Sequence, residues 1–108
     1  MDAFEALTQS KSNEWSTKPK YIELAKEVLG SIELDPATNK QAQKYIQAKT
    51  FYTIDDDGFN KLWIAATLWL NPPYGTKKPT ANNWILKAIT EYDADNIGAA
   101  ILLIGADS

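Results

Sequence analysis

The segment Ala66-Thr67-Leu68-Trp69-Leu70 is a nearly continuous apolar run, halted at once by Asn71-Pro72-Pro73. A run this short, with no polar alternation, predicts a strand buried on both faces, as in the parallel sheet of an α/β protein. The prolines end it, because proline has no backbone N–H to give to a sheet.

The rest of the chain fits that frame. From Lys20, Tyr21, Ile22, Leu24, Ala25, Val28 and Leu29 recur at helical spacing and Gly30 supplies a stop, which predicts a helix over residues 19 to 29. Ser31 to Asp35 alternates Ile32 and Leu34 with polar residues, a short strand closed by Pro36. Thr38 or Asn39 is placed to cap a second helix running to about Ala48. Thr50 to Ile54 is aromatic and β-branched, a strand entering the turn Asp55-Asp56-Asp57-Gly58, with a short helical turn near Phe59 to Trp63. A loop over 76 to 80, a helix over 81 to 92 and an apolar strand from Gly98 to Ile104 complete the chain. The alternation predicts an open, mostly parallel α/β sheet with right-handed crossovers. Residues 1–14 are expected to be a flexible segment and 15–108 the domain. The closeness of the last apolar strand to Ser108 predicts a sheet truncated at its C-terminus, whose edge a missing segment or a partner would cover.

Composition narrows the chemistry. The 108 residues contain no Cys and no His, which removes disulfides, thiol nucleophiles, Ser-His-Asp triads and zinc fingers. All 11 basic residues are Lys against 14 acidic ones, so no guanidinium fork is present to read guanine, and phosphate contacts must be local. Neither a signal peptide nor an apolar stretch of spanning length is visible, and a cytoplasmic location is expected.

Ligands of open α/β sheets lie outside the carboxyl ends of the strands, where this sequence places Asp35-Pro36, Asp55 to Asp57, and Asn71 to Tyr74. The last segment is the most informative. Two prolines fix the backbone so that the Asn71 side-chain oxygen and the Pro72 carbonyl oxygen can accept the two N–H bonds of a planar amine, while the Tyr74 ring stacks on its heterocycle. No metal is needed for that chemistry. The plainer reading is a rigid Pro-Pro turn with Tyr74 as packing. For the other groups two readings also stand side by side. Asp35-Pro36 either serves a ligand or merely stops a strand. The acidic run is either a solvated turn or holds a ribose hydroxyl. Lys77 and Lys78 face either solvent or DNA phosphate. Trp63 and Trp69 read as core.

Asn71-Pro72-Pro73-Tyr74 resembles the hallmark of the amino-methyltransferases. Taken with Trp15, Thr17, Pro19, the run Leu34-Asp35-Pro36-Ala37-Thr38-Asn39, Phe51-Tyr52-Thr53, Asp57-Gly58-Phe59 and Trp63, the chain from about residue 14 to 104 resembles the phage-type DNA N-6-adenine methyltransferases. The family's Trp-x-Thr-Pro reads Trp15-Ser16-Thr17-Lys18-Pro19 here. The resemblance implies a Rossmann-like fold that binds S-adenosyl-L-methionine and methylates the N6 amine of adenine in DNA, the base being extruded from the duplex or taken from a single strand. It assigns Asn71, Pro72, Pro73 and Tyr74 to catalysis, and Trp15, Thr17, Pro19, Asp35, Pro36, Ala37, Thr38, Asn39 and Asp57 to the cofactor. It further implies a bacterial host cytoplasm, phage or prophage origin and a place in genome protection or restriction-modification. The absence of G-x-G-x-x-G argues against a dinucleotide.

Two alternatives accompany this expectation. A glutamine side-chain amide also offers two N–H bonds on a planar nitrogen, so a protein glutamine methyltransferase shares the local chemistry. A non-catalytic remnant that needs a partner is the reading from another class.

Overall fold

The computed structural model describes residues 3–9 and 19–105. Five strands, β1 (Ala3–Gln9), β2 (Leu34–Asp35), β3 (Thr50–Phe51), β4 (Ala65–Leu70) and β5 (Ile97–Gly105), form one sheet in the order β1-β5-β4-β2-β3. Every pairing is parallel. Three helices, α1 (Pro19–Leu29), α2 (Gln43–Ile46) and α3 (Ala81–Asp93), connect them. The expected architecture, an open parallel α/β sheet, is therefore observed.

Period-two geometry explains why β4 from Leu68 and β5 are apolar on both faces. Leu68, Leu70, Ala100 and Leu102 point to one face, where Trp63, Trp84 and Ala88 close a core under α3. Trp69, Ile101 and Leu103 point to the other, where Ile22 and Ala25 of α1 and Ile46 of α2 cover them. Helix α1 ends where Gly30 adopts φ +86°, a conformation that costs glycine little, and its amide bonds Lys26 O at 2.8 Å. Thr80 caps α3 by accepting from the Asn83 amide, while Asn83 Oδ1 accepts from the Thr80 amide at 2.8 Å.

The amino-terminal segment departs from expectation. Ala3–Gln9 is not outside the domain but pairs with β5 from Ala3↔Ala99 to Gln9↔Gly105, so β5 lies inside the sheet. The physical cause is a two-faced apolar β5 with an open flank. Phe4 packs edge-on against Tyr92 of α3 at 5.2 Å, and Leu7 packs on the opposite face beneath α1. Elsewhere the differences are of extent. The strand expected from Ser31 is confined to Leu34–Asp35, and the one expected to reach Ile54 ends at Phe51. The second helix begins only at Gln43; Asn39 Oδ1 accepts the Ala42 amide at 2.8 Å one turn earlier, and Thr38 plays no capping part.

Candidate functional site

The chain runs outward from β2 to β3 on one side of the sheet and from β4 to β5 on the other. The switch in direction therefore falls between β2 and β4, and a crevice forms beyond their carboxyl ends because the following connections diverge. A cavity of about 870 Å³ occupies that place. Its walls are the 35–39 segment after β2, residues 52–54 and 57–59 after β3, and Asn71 to Tyr74 after β4, with Pro19, Ile22, Gln41, Ala42, Tyr45, Ile46, Trp69, Pro79 and Trp84 completing them.

Asp35, at the end of β2, is fully buried. Its Oδ1 accepts the Ala37 amide at 3.4 Å and its Oδ2 accepts Gln43 Nε2 at 2.8 Å. Burial pushes its pKa up to about 7, against smaller pulls downward from Thr38, the Ala37 amide and Gln43. Asp35 thus organises the loop that follows it. The main chain holds that loop from the other side, through Tyr52 N to Asp35 O at 3.0 Å and Thr38 N to Tyr52 O at 3.1 Å. Gly58 sits so close to Pro36 that an added Cβ would lie 2.0 Å from the Pro36 carbonyl oxygen. Trp63 Nε1 donates to Gly58 O at 2.8 Å and fixes that approach.

The three consecutive aspartates separate into different roles. Asp56 Oδ2 accepts the Thr53 amide at 2.8 Å and the Thr53 hydroxyl at 3.0 Å, which caps a short 3₁₀ turn and holds its carboxyl below the usual range. Asp57, at φ 55°, reaches the cavity wall, and its Oδ2 accepts Asn60 Nδ2 at 2.8 Å. Asp55 is not in the wall. Beside them Ile54 is 94% exposed, an apolar side chain held at the cavity rim.

After β4, Pro72 is buried, Pro73 is exposed and Asn71 and Tyr74 are half-buried. The Tyr74 hydroxyl donates to Leu103 O at 3.1 Å, tethering its ring over the end of β5. All four residues line the cavity.

The structure thus brings together eleven expected positions: Pro19, Asp35, Pro36, Ala37, Thr38, Asn39, Asp57 and Asn71 to Tyr74. Trp15 and Thr17 lie outside the described residues. Lys77 and Lys78 are exposed on the loop before α3 and do not line the cavity. Sequence reasoning did not single out Tyr45, Tyr52, Ile54, Phe59 and Trp84 as wall residues; their aromatic or aliphatic character gave no signal beyond core packing. Trp69 does both things, being fully buried and in the wall.

The charge of the wall limits what it can hold. Its carboxylic acids are Asp35 and Asp57, and among the described residues no lysine lines it. That suits a cation or a hydroxyl-rich ligand and disfavours a phosphate. Among the described residues, no group of three or more His, Cys, Asp or Glu side chains could hold a metal, and no helix is long and apolar enough to cross a membrane.

A family model described as DNA N-6-adenine-methyltransferase (Dam) matches residues 5–108. No curated protein and no solved structure matches the chain.

Proposed function

The chain belongs to the DNA N-6-adenine-methyltransferase family, and on that premise we propose that it transfers a methyl group from S-adenosyl-L-methionine to the N6 amine of adenine, with the acceptor base held by Asn71 to Tyr74. The observation that carries this reading is the meeting of two strand ends in one cavity. The amine-orienting segment after β4 and the 35–39 loop after β2 share its walls, and among the described residues Asp35 and Asp57 are the carboxyls there, with no lysine beside them.

Those residues fit the cofactor. S-Adenosyl-L-methionine supplies a methyl group made electrophilic by a sulfonium cation, and it carries an ammonium group and ribose hydroxyls besides. The 35–39 loop offers backbone carbonyls and the Thr38 hydroxyl, and Asp57 offers a carboxylate to a cation or a hydroxyl. Trp15 and Thr17 join the same side in this proposal, on the resemblance alone.

On the acceptor side, the Asn71 oxygen and the Pro72 carbonyl each accept one N–H of the adenine amine, which turns the nitrogen lone pair toward the methyl carbon. Tyr74 stacks on the base, its ring direction fixed by the hydroxyl bond to Leu103 O. Adenine in a duplex hides its amine, so the base is extruded or taken from a single strand. Lys77 and Lys78, exposed just beyond this segment, meet the phosphate backbone. The family match favours this acceptor over a glutamine amide. Within a bacterial host, such methylation would mark phage or host DNA.

Incubation with DNA and methyl-labelled S-adenosyl-L-methionine, followed by nucleoside analysis, tests the reading. Label in N6-methyladenine is expected. Protein that binds the cofactor yet produces no N6-methyladenine on any DNA would overturn it.

A further inference from the structure

Gln43 does not line the cavity, yet its side chain joins three separate segments behind the cavity wall. Its Nε2 donates to Asp35 Oδ2 at 2.8 Å and to Thr38 Oγ1 at 3.0 Å, while its Oε1 accepts the Ala48 amide at 2.9 Å. Both N–H bonds and the carbonyl are therefore used. One amide ties the end of β2, the 36–39 loop and the chain leading into β3.

We propose that Gln43 is a positioning residue for the cofactor, holding the 36–39 loop in the conformation that lines the cavity. The inference rests on the cofactor reading above and adds to it the residue that shapes the site from outside.

The physical need is specific. Asp35 is fully buried, so the oxygen facing Gln43 has no water to turn to if the donor is lost. The groups that hold Asp35 are neutral: Gln43, the Ala37 amide and Thr38. No cation among them could substitute. Helix α2 has four residues, too few to hold its own shape without such tertiary bonds. Loss of the Gln43 donor should therefore displace Asp35 and, through it, Ala37 and Thr38 in the wall.

Two substitutions separate this bond from packing. Gln43→Met keeps the length and removes donor and acceptor alike. Gln43→Glu keeps the shape and the acceptor for Ala48 but sets a second carboxyl against Asp35; a donor returns only when the pair shares a proton, so its effect must depend on pH.

The test is calorimetric binding of S-adenosylhomocysteine to the full chain, each variant being compared with wild type at about pH 5.5 and about pH 8. Amide hydrogen exchange of residues 37–39 is followed in the ligand-free proteins. Gln43→Met is expected to bind at least about tenfold more weakly at both pH values, the lower end for losing a hydrogen bond to a charged or buried partner. Gln43→Glu should show the same loss at the higher pH and return to within about threefold of wild type at the lower. The Ala37 and Thr38 amides should exchange faster than in wild type at both pH values in Gln43→Met and only at the higher pH in Gln43→Glu. Wild-type affinity and unchanged exchange in Gln43→Met would overturn the role of Gln43 while leaving the cofactor reading intact. Failure of wild type itself to bind would overturn the cofactor reading and this role with it. Should Gln43→Met not fold, Gln43→Glu decides: a deficit equal at both pH values, or none at either, overturns the proposal.

Discussion

Replacement of Asp35 by Asn should flatten the pH dependence of stability between about pH 4 and pH 7, because the wild-type carboxyl binds its proton more tightly when folded. Burial raises its pKa from 3.8 to about 7. In that window the unfolded chain has released the proton that the folded chain retains. Stability is therefore highest below the unfolded pKa and falls as pH rises toward the folded one. The slope approaches one proton, about 1.4 kcal/mol per pH unit, and the whole span amounts to roughly 4 kcal/mol. For a domain whose total stability is of order 5–15 kcal/mol, that is a large share. Asp56 acts in the opposite sense and elsewhere: its lowered pKa gives stability that is lost only as pH falls below the ordinary carboxylate value. Urea denaturation at a series of pH values measures both. Wild type should lose stability from about pH 4.5 to 7 while Asp35→Asn stays nearly level. Equal slopes in the two proteins would refute the claim that this buried carboxyl is the source.

Other perturbations test neighbouring contacts. Gly58→Ala should destabilise by about 1–3 kcal/mol or more in thermal melts, since its Cβ would meet the Pro36 carbonyl oxygen, and should weaken cofactor binding through the same loop. Tyr74→Phe should cost about 0.5–1.5 kcal/mol by loss of the bond to Leu103 O while keeping the stacking face, whereas Tyr74→Ala should weaken binding of an extruded adenine by about 1–3 kcal/mol, measured with a single-stranded oligonucleotide. Lys77→Ala with Lys78→Ala should weaken DNA binding alike for all sequences and shallow its salt dependence, with cofactor affinity unchanged.

How much of this was legible beforehand depended on whether a feature is local. The helices over 19–29 and from 81 carry their own periodicity and the strand ending at Leu70 its own short apolar run, and the structure reproduces them nearly residue for residue. The Asn-Pro-Pro-Tyr segment and Asp35-Pro36 were legible because strand ends mark a ligand crevice, whereas Ala37, Thr38 and Asn39 entered the candidate site only through the family resemblance. Ala3–Gln9 was missed because nothing in its own pattern demands a strand; it is one because β5 offers an open parallel flank. Gln43 was missed for a related reason. A glutamine on a short amphipathic stretch reads as solvent-facing, and only the fold brings it against Asp35. The acidic run could not be divided in advance either, since capping by Asp56 and the positive φ of Asp57 arise from a turn that the composition does not specify.

The central claim is that Asn71 orients the acceptor amine within a cavity whose opposite wall holds the cofactor. Comparing Asn71→Ala with wild type for N6-methyladenine formation, S-adenosylhomocysteine affinity and melting temperature tests it most directly. Methylation should fall at least about a hundredfold, the lower range for removing one preorganised electrostatic contact, while affinity and melting temperature stay close to wild type. A fall in activity matched by an equal loss of stability or cofactor binding would contradict the claim and reduce Asn71 to a residue that shapes a turn.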